Sequence, residues 1–179
     1  YYSLFRVALI AMAQEKEWPV IQQKLLDAFD YRPCRAEPLH AIARTLRMMG
    51  RPRAAYMFAK QAAELPFPQH DILFIDTNVY QWMALDELAA TAFYVHDYLT
   101  GFKVCDFLLK NNRVPPTEGE RVQKSHAAYR EKLEEMQRIQ AQNPGMQLPF
   151  PVSVNPQMMQ TVPITLPAAT TLQPKTVEV

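Results

Sequence analysis

The sequence predicts an all-α protein made of stacked antiparallel helical hairpins. Three observations carry that expectation. Apolar residues recur at helical spacing through most of the first 142 positions, prolines interrupt the pattern at intervals, and the 179 residues contain only four glycines. So few glycines argue against a turn-rich all-β fold and against a phosphate-cradling loop, because both need positive φ or close backbone approach.

The first hairpin is expected over about 2–33. Phe5, Ala8, Leu9 and Met12 form one apolar face, Trp18 begins a second helix, and Ile21, Leu25 and Ala28 continue it to Pro33. The second, over about 36–68, is the clearest. Leu39, Ile42, Ala43 and Leu46 lead to Gly50, a residue suited to a helix C-terminus, and Ala55, Ala59 and Ala62 run on to Pro66. Small residues there let the second helix approach its neighbours closely. The third, over about 80–113, has Leu85, Leu88, Ala89 and Ala92, then Asp97-Tyr98, then Gly101, Cys105 and Leu108. Such a hairpin cannot bury its apolar face alone, so about three stacked units are the minimum for stability.

Between the second and third hairpins lies an apolar insertion at 69–80. Its run from Ile72 to Ile75 fits either a short strand or a buried extended loop plugging the junction. A capping helix is expected over 117–142, opened by the capping box Thr117-Glu118-Gly119-Glu120 and carrying the narrow stripe Val122, Tyr129, Leu133 and Met136. From 143 to 179 seven prolines accompany only two charged residues, Lys175 and Glu178. That composition reads as an extended linker or tail, with edge strands around Val152, Val154, Val162, Ile164 and Leu166 as the rival reading.

Composition bounds the function. An apolar content of 49% with 21% charged residues fits a soluble globular chain with a sizeable core. The net charge of +1 gives no global field to draw in nucleic acid or an anionic membrane. Residues 1–66 hold ten Lys or Arg against six Asp or Glu, and 67–142 hold eight against eleven, so one end is basic and the other acidic. The basic excess is too small and too spread for a nucleic-acid surface. No apolar run approaches the ~20 residues that cross a bilayer. The chain begins at Tyr1 with no signal-peptide pattern and reads as a piece of something longer. Cys34 and Cys105 have no CxxC partner and no histidine at ligand spacing, so incidental thiols in a reducing, cytoplasmic setting are expected.

The pattern from Leu39 to Pro66 resembles the tetratricopeptide repeat, which places a leucine and a small residue on one helix and an alanine before an aromatic and a proline on the next. This chain departs from it at Ala59, where an aromatic is frequent, and at His96, where glycine is usual. A narrower likeness lies in longer phrases: Tyr31-Arg-Pro-Cys-Arg-Ala-Glu-Pro-Leu39, Ala55-Tyr-Met-Phe-Ala-Lys60, Leu65-Pro-Phe-Pro with Asp71-Ile-Leu-Phe, and Ala84-Leu-Asp-Glu-Leu88. These resemble the helical region that follows the catalytic domain in many inverting, family 2 type glycosyltransferases, over roughly residues 4 to 135. The resemblance implies a parent enzyme whose catalytic domain carries an Asp-x-Asp motif for a metal and a nucleotide-sugar diphosphate. No Asp-x-Asp occurs here, so transfer chemistry is not assigned to these residues.

Other chemistry finds little support. His70, Asp71 and Asp76 are neighbours in one loop rather than ligands converging from several elements, and a turn or cap role is expected for the two aspartates. Asp86 and Glu87 are adjacent on a helix and point about 100° apart, so ion pairing is expected rather than acid–base work. Ser3, Ser125 and Ser153 lack the surround of a nucleophile elbow. No catalytic residue, metal or cofactor is expected in this segment.

The best functional candidates are the off-core positions of the first helix in each hairpin: Arg6, then Glu37, His40, Arg44 and Arg47, then Asp86, Phe93 and Tyr94. Together they are expected to line a concave groove whose arginines hold a carboxylate or phosphate; an ordinary solvated helix face is the alternative. The expected function is a non-catalytic accessory module attached to a glycosyltransferase, presenting its groove to a catalytic domain of the same polypeptide, a protein or peptide partner, or an acceptor. Part of a nucleotide-sugar-dependent glycosyltransferase, shaping its acceptor site, is one rival; a spacer with no ligand is another.

Overall fold

The computed structural model describes residues 1–71 and 73–143. The expectations placed on the proline-rich segment, apart from Asn143, lie outside the described residues.

All regular structure among the described residues is helical. The α-helices are α1 (Tyr2–Ala13), α2 (Trp18–Tyr31), α3 (Glu37–Met48), α4 (Pro52–Glu64), α5 (Ala84–Ala92), α6 (Tyr98–Lys110) and α7 (Pro116–Gln142). A π-helical turn, Val79–Met83, leads into α5, and a 3-10 turn, Phe93–Val95, leaves it. Each helix packs on the next in chain order, from α1 on α2 through to α6 on α7, and α5 also reaches back to α3 and forward to α7.

Prolines open these helices more than they close them. Pro19, Pro38, Pro52 and Pro116 all sit in the first turn of a helix, where a missing amide hydrogen costs nothing. Helices α2 and α4 do end just ahead of Pro33 and Pro66, as expected, whereas α1, α3, the α5 segment and α6 close through a residue in the left-handed region. After α3, Gly50 has φ of 72° and its amide donates to Arg47 O at 3.0 Å while Arg51 N donates to Leu46 O at 2.9 Å. The same pair of bonds closes α1 at Glu15, the α5 segment at His96 and α6 at Asn112, with φ of 52°, 61° and 48°. His96 therefore takes up the conformation for which glycine is usual, and the missing glycine does not displace the turn.

Two expectations are corrected. Helix α7 begins at Pro116 with no side-chain cap, so Thr117 falls inside the first turn and the capping box does not form. Glu118 is engaged instead by Arg121, one turn on, at 2.8 Å. Among the described residues of the insertion's apolar run there is no strand, and of them Ile75 alone packs on the core. Leu73 and Phe74 are 63% and 59% exposed, and the Phe74 ring stacks on Tyr2 with centroids 3.9 Å apart. Burial falls further on, at Val79 and Tyr80.

The apolar interior has two centres that share α3. Ile42 and Leu46 face Ala8, Ala11, Ile21 and Leu25, whereas Leu39 and Ala43 face α4 and α5 through Ala59, Ala62, Leu85 and Leu88. Buried Ala55, Ala59 and Ala62 supply the thin seam on α4. At the far end, α6 and α7 meet where Gly101 lies directly under the Tyr129 ring, whose hydroxyl donates to Ala89 O at 2.5 Å. A Cβ at position 101 overlaps that ring, and the ring is held by its hydrogen bond.

Gly101→Ala is expected to cost about 1–3 kcal/mol through this overlap. Gly119→Ala, on α7 with open space around it, is expected to be neutral or to stabilise by up to about 1 kcal/mol. Urea unfolding of both variants checks the opposite signs.

Candidate functional site

The phrase Arg35-Ala-Glu37 folds into a buried ionic cluster. Arg35 and Glu37 are 2% and 3% exposed. Arg35 Nη2 donates to Glu37 Oε1 at 2.6 Å and to Phe74 O at 2.6 Å, and its Nη1 donates to Asp71 Oδ2 at 3.0 Å. Glu37 also accepts from the Tyr80 hydroxyl at 2.7 Å and from Asp76 N at 3.3 Å. Tyr80 in turn accepts from Ala36 N at 3.0 Å, and the Arg35 guanidinium lies 4.3 Å from the Tyr1 ring centroid. Burial, reinforced by the Glu37 carboxylate, pushes the Tyr1 and Tyr80 hydroxyls far above their ordinary range, so neither ionises near neutral pH. Every strong donor and acceptor is used internally, which makes the cluster a structural tie between α3 and the insertion.

Asp71 is held there by Arg32 and Arg35, and the hydrogen bond from Arg32 is the main reason its pKa falls below the usual 3.8. Asp76 accepts from Asn78 N at 3.1 Å, making the expected turn. Among the described residues no group of three or more His, Cys, Asp or Glu is placed to hold a metal ion.

The candidate site is a polar cleft of about 250 Å³ where α3, α5 and α7 meet. Helix α3 contributes His40, Arg44 and Arg47, whose spacing puts them on one face. The π turn and α5 contribute Trp82, Met83, Asp86, Glu87 and Ala90, and α7 contributes Glu118 and Arg121. Two ion pairs cross its walls. Arg47 grips Glu87, which is 3% exposed, through both Nε and Nη2. Arg121 Nη2 donates to both oxygens of Asp86, at 3.0 and 2.9 Å, while its Nε engages Glu118. Burial raises the Asp86 pKa against the opposing pull of Arg121. The Arg47 guanidinium is held charged by Glu87.

Two side chains of the cleft remain uncommitted. Arg44 is exposed and makes no hydrogen bond or salt bridge with the described residues. His40 is 6% exposed, and its ring hydrogen-bonds to no protein atom among those residues. Burial lowers its pKa below the usual 6.5, with Arg44 and Arg47 adding to the effect against Glu87 and Asp76, so the imidazole is neutral at pH 7.

The eight residues expected in one groove are thus divided. His40, Arg44, Arg47 and Asp86 converge on the cleft. Glu37 does not; it stands at the N-terminal end of α3, one turn before His40 on the same helix face, and is taken up by the buried cluster. Arg6 is exposed on α1 near the Tyr2 ring, 6.0 Å from its centroid, and Phe93 and Tyr94 lie at the 3-10 turn, with Phe93 edge-on to Tyr98 at 5.3 Å. Trp82, Met83, Glu118 and Arg121 are cleft residues that sequence reasoning missed. The Glu118–Arg121 spacing was visible on α7, but nothing local says that α7 folds back over α5. Neither cysteine is paired; Cys34 is exposed, and burial pushes the Cys105 thiol up to about 12.

No protein-family model, curated protein or solved structure matches this chain. The architecture and the cleft chemistry are therefore what bear on function. No helix among the described residues is long and apolar enough to cross a membrane.

Glu37→Gln is expected to cost about 3–5 kcal/mol, because it removes the main counter-charge of buried Arg35. Arg44→Gln is expected to stay within about 0.5 kcal/mol of wild type; denaturant titration of both separates scaffold from cleft. The depressed Asp71 pKa contributes stability that is fully present above its unfolded value and disappears as pH falls through the folded one. The unfolding midpoint of Asp71→Asn should accordingly lie below wild type at pH 6 to 7 and merge with it near about pH 2.

Proposed function

We propose that this chain is a non-catalytic interaction module of stacked helical hairpins, similar to tetratricopeptide repeats and to the helical region attached to family 2 type glycosyltransferases. The observation that carries the reading is the cleft, where Arg44 and His40 stand uncommitted beside charges already neutralised in pairs. Support for the hairpin stacking comes from the closures: α1, α3 and the α5 segment all end in the same left-handed turn, and each is followed by the helix that packs on it. Arg47 and Arg121 are paired with Glu87 and Asp86 and so join α3 and α7 to α5. In this proposal the module presents the face of α3 and α5 to a catalytic domain of the same polypeptide, a peptide, or the acceptor of the transfer.

A second reading, that the cleft forms part of the acceptor site of the parent glycosyltransferase, is favoured by one specific feature. Trp82 lines the cleft beside Asp86 and Glu118, a combination suited to a sugar ring and its hydroxyls. A cytoplasmic location belongs to the same proposal and is supported by two unpaired thiols.

Calorimetric titration of the purified chain with nucleotide sugars and a divalent ion is expected to give no heat of binding and no turnover. Saturable donor binding, or release of nucleotide, would overturn the non-catalytic reading.

A further inference from the structure

The geometry points to the α3–α5–α7 cleft as a site for one saccharide unit carrying one anionic group, such as a uronate or a sugar phosphate. This rests on the reading of the cleft as the ligand-facing side of the module and names what occupies it.

Size is the first constraint. A volume of about 250 Å³ is below the range of about 300–1,000 Å³ for clefts that take drug-sized molecules, which suits a single ring.

Charge is the second. Three arginines face three carboxylates around the opening, and the two ends differ. At the α3 end Arg44 offers five donors that meet no acceptor among the described residues. At the α7 end Arg121 is shared between Asp86 and Glu118. A ligand with anionic groups at both ends meets repulsion from the carboxylates at the α7 end, and a cation meets the arginines. A ligand with one anionic group and several hydroxyls suits both ends: the anion pairs with Arg44, and the hydroxyls donate to carboxylate lone pairs that Arg121 leaves open.

Two further side chains fit such a ring. Trp82, half-buried in the wall, offers an aromatic face to the C–H face of a pyranose. His40 is more than nine-tenths buried, lines the cleft and hydrogen-bonds to no protein atom among the described residues, which leaves a neutral imidazole for a hydroxyl that both donates and accepts.

The test is an NMR titration of the full chain with glucuronate, glucose 6-phosphate, glucose and inorganic phosphate, each to about 10 mM. The expected result is saturable shifts with glucuronate or glucose 6-phosphate, with glucose at least about tenfold weaker. Arg44→Gln should weaken the anionic sugar by about tenfold or more, and Trp82→Leu should weaken both charged and neutral sugars, with helical dichroism retained. Binding by one charged sugar and not the other supports the inference and identifies the anionic group. Phosphate that binds as tightly as the sugar phosphate, glucose that equals glucuronate, or an unchanged Arg44→Gln overturns it. So does absence of any saccharide binding. A parallel peptide array then separates the two readings: peptides captured by wild type and lost in Arg44→Gln leave the groove standing and remove the sugar, whereas silence in both assays removes the groove as well.

Discussion

The buried pair between Arg35 and Glu37 is the constraint on which the arrangement of the helices depends. Two charges removed from water at the start of α3 carry a desolvation cost of several kcal/mol each, and only dense hydrogen bonding offsets it. That bonding is recruited from distant parts of the chain: Asp71 and the Phe74 carbonyl from the insertion, Asp76 N, and the Tyr80 hydroxyl from the π turn. Satisfying the pair therefore pins the insertion against α3. It also sets where the chain re-enters the core at Val79 and Tyr80, and hence the direction in which α5 leaves.

With α5 laid against α3, the cleft follows. Helix α3 is amphipathic on three sides: Ile42 and Leu46 serve one apolar centre, Leu39 and Ala43 serve the other, and His40, Arg44 and Arg47 face the remaining gap. Arg47 crosses to Glu87 on α5, and Asp86 beside it crosses to Arg121 on α7. Adjacent acids on one helix thus face two different neighbours, as their angular separation requires. The polar walls hold three helices together while Arg44 and His40 make no hydrogen bond among the described residues.

Some of this was legible in the residues. The spacing of Leu39, Ile42, Ala43 and Leu46 placed α3, and Gly50 marked its end. Prolines marked the breaks: Pro33 and Pro66 follow the ends of α2 and α4, and Pro116, expected to close the third hairpin, opens α7. His96 was misleading, because left-handed geometry is open to residues other than glycine when the surrounding packing requires it. Glu37 was misassigned for a related reason. A helical pattern treats a charged residue off the apolar stripe as solvated, and it contains no information about an arginine two residues away turning inward with it.

What the amino-acid sequence determined alone is the set of helices, their apolar faces and the breaks between them, since these arise from bonds and contacts three or four residues apart. Which charges meet was decided only by the tertiary structure. Arg47 and Glu87 are 40 positions apart, Asp86 and Arg121 are 35 apart, and Tyr80 and Glu37 are 43 apart. No local rule ranks one such partner over another, because the energy of an ion pair depends on distance and burial, and both exist only after α5 and α7 have folded back against α3.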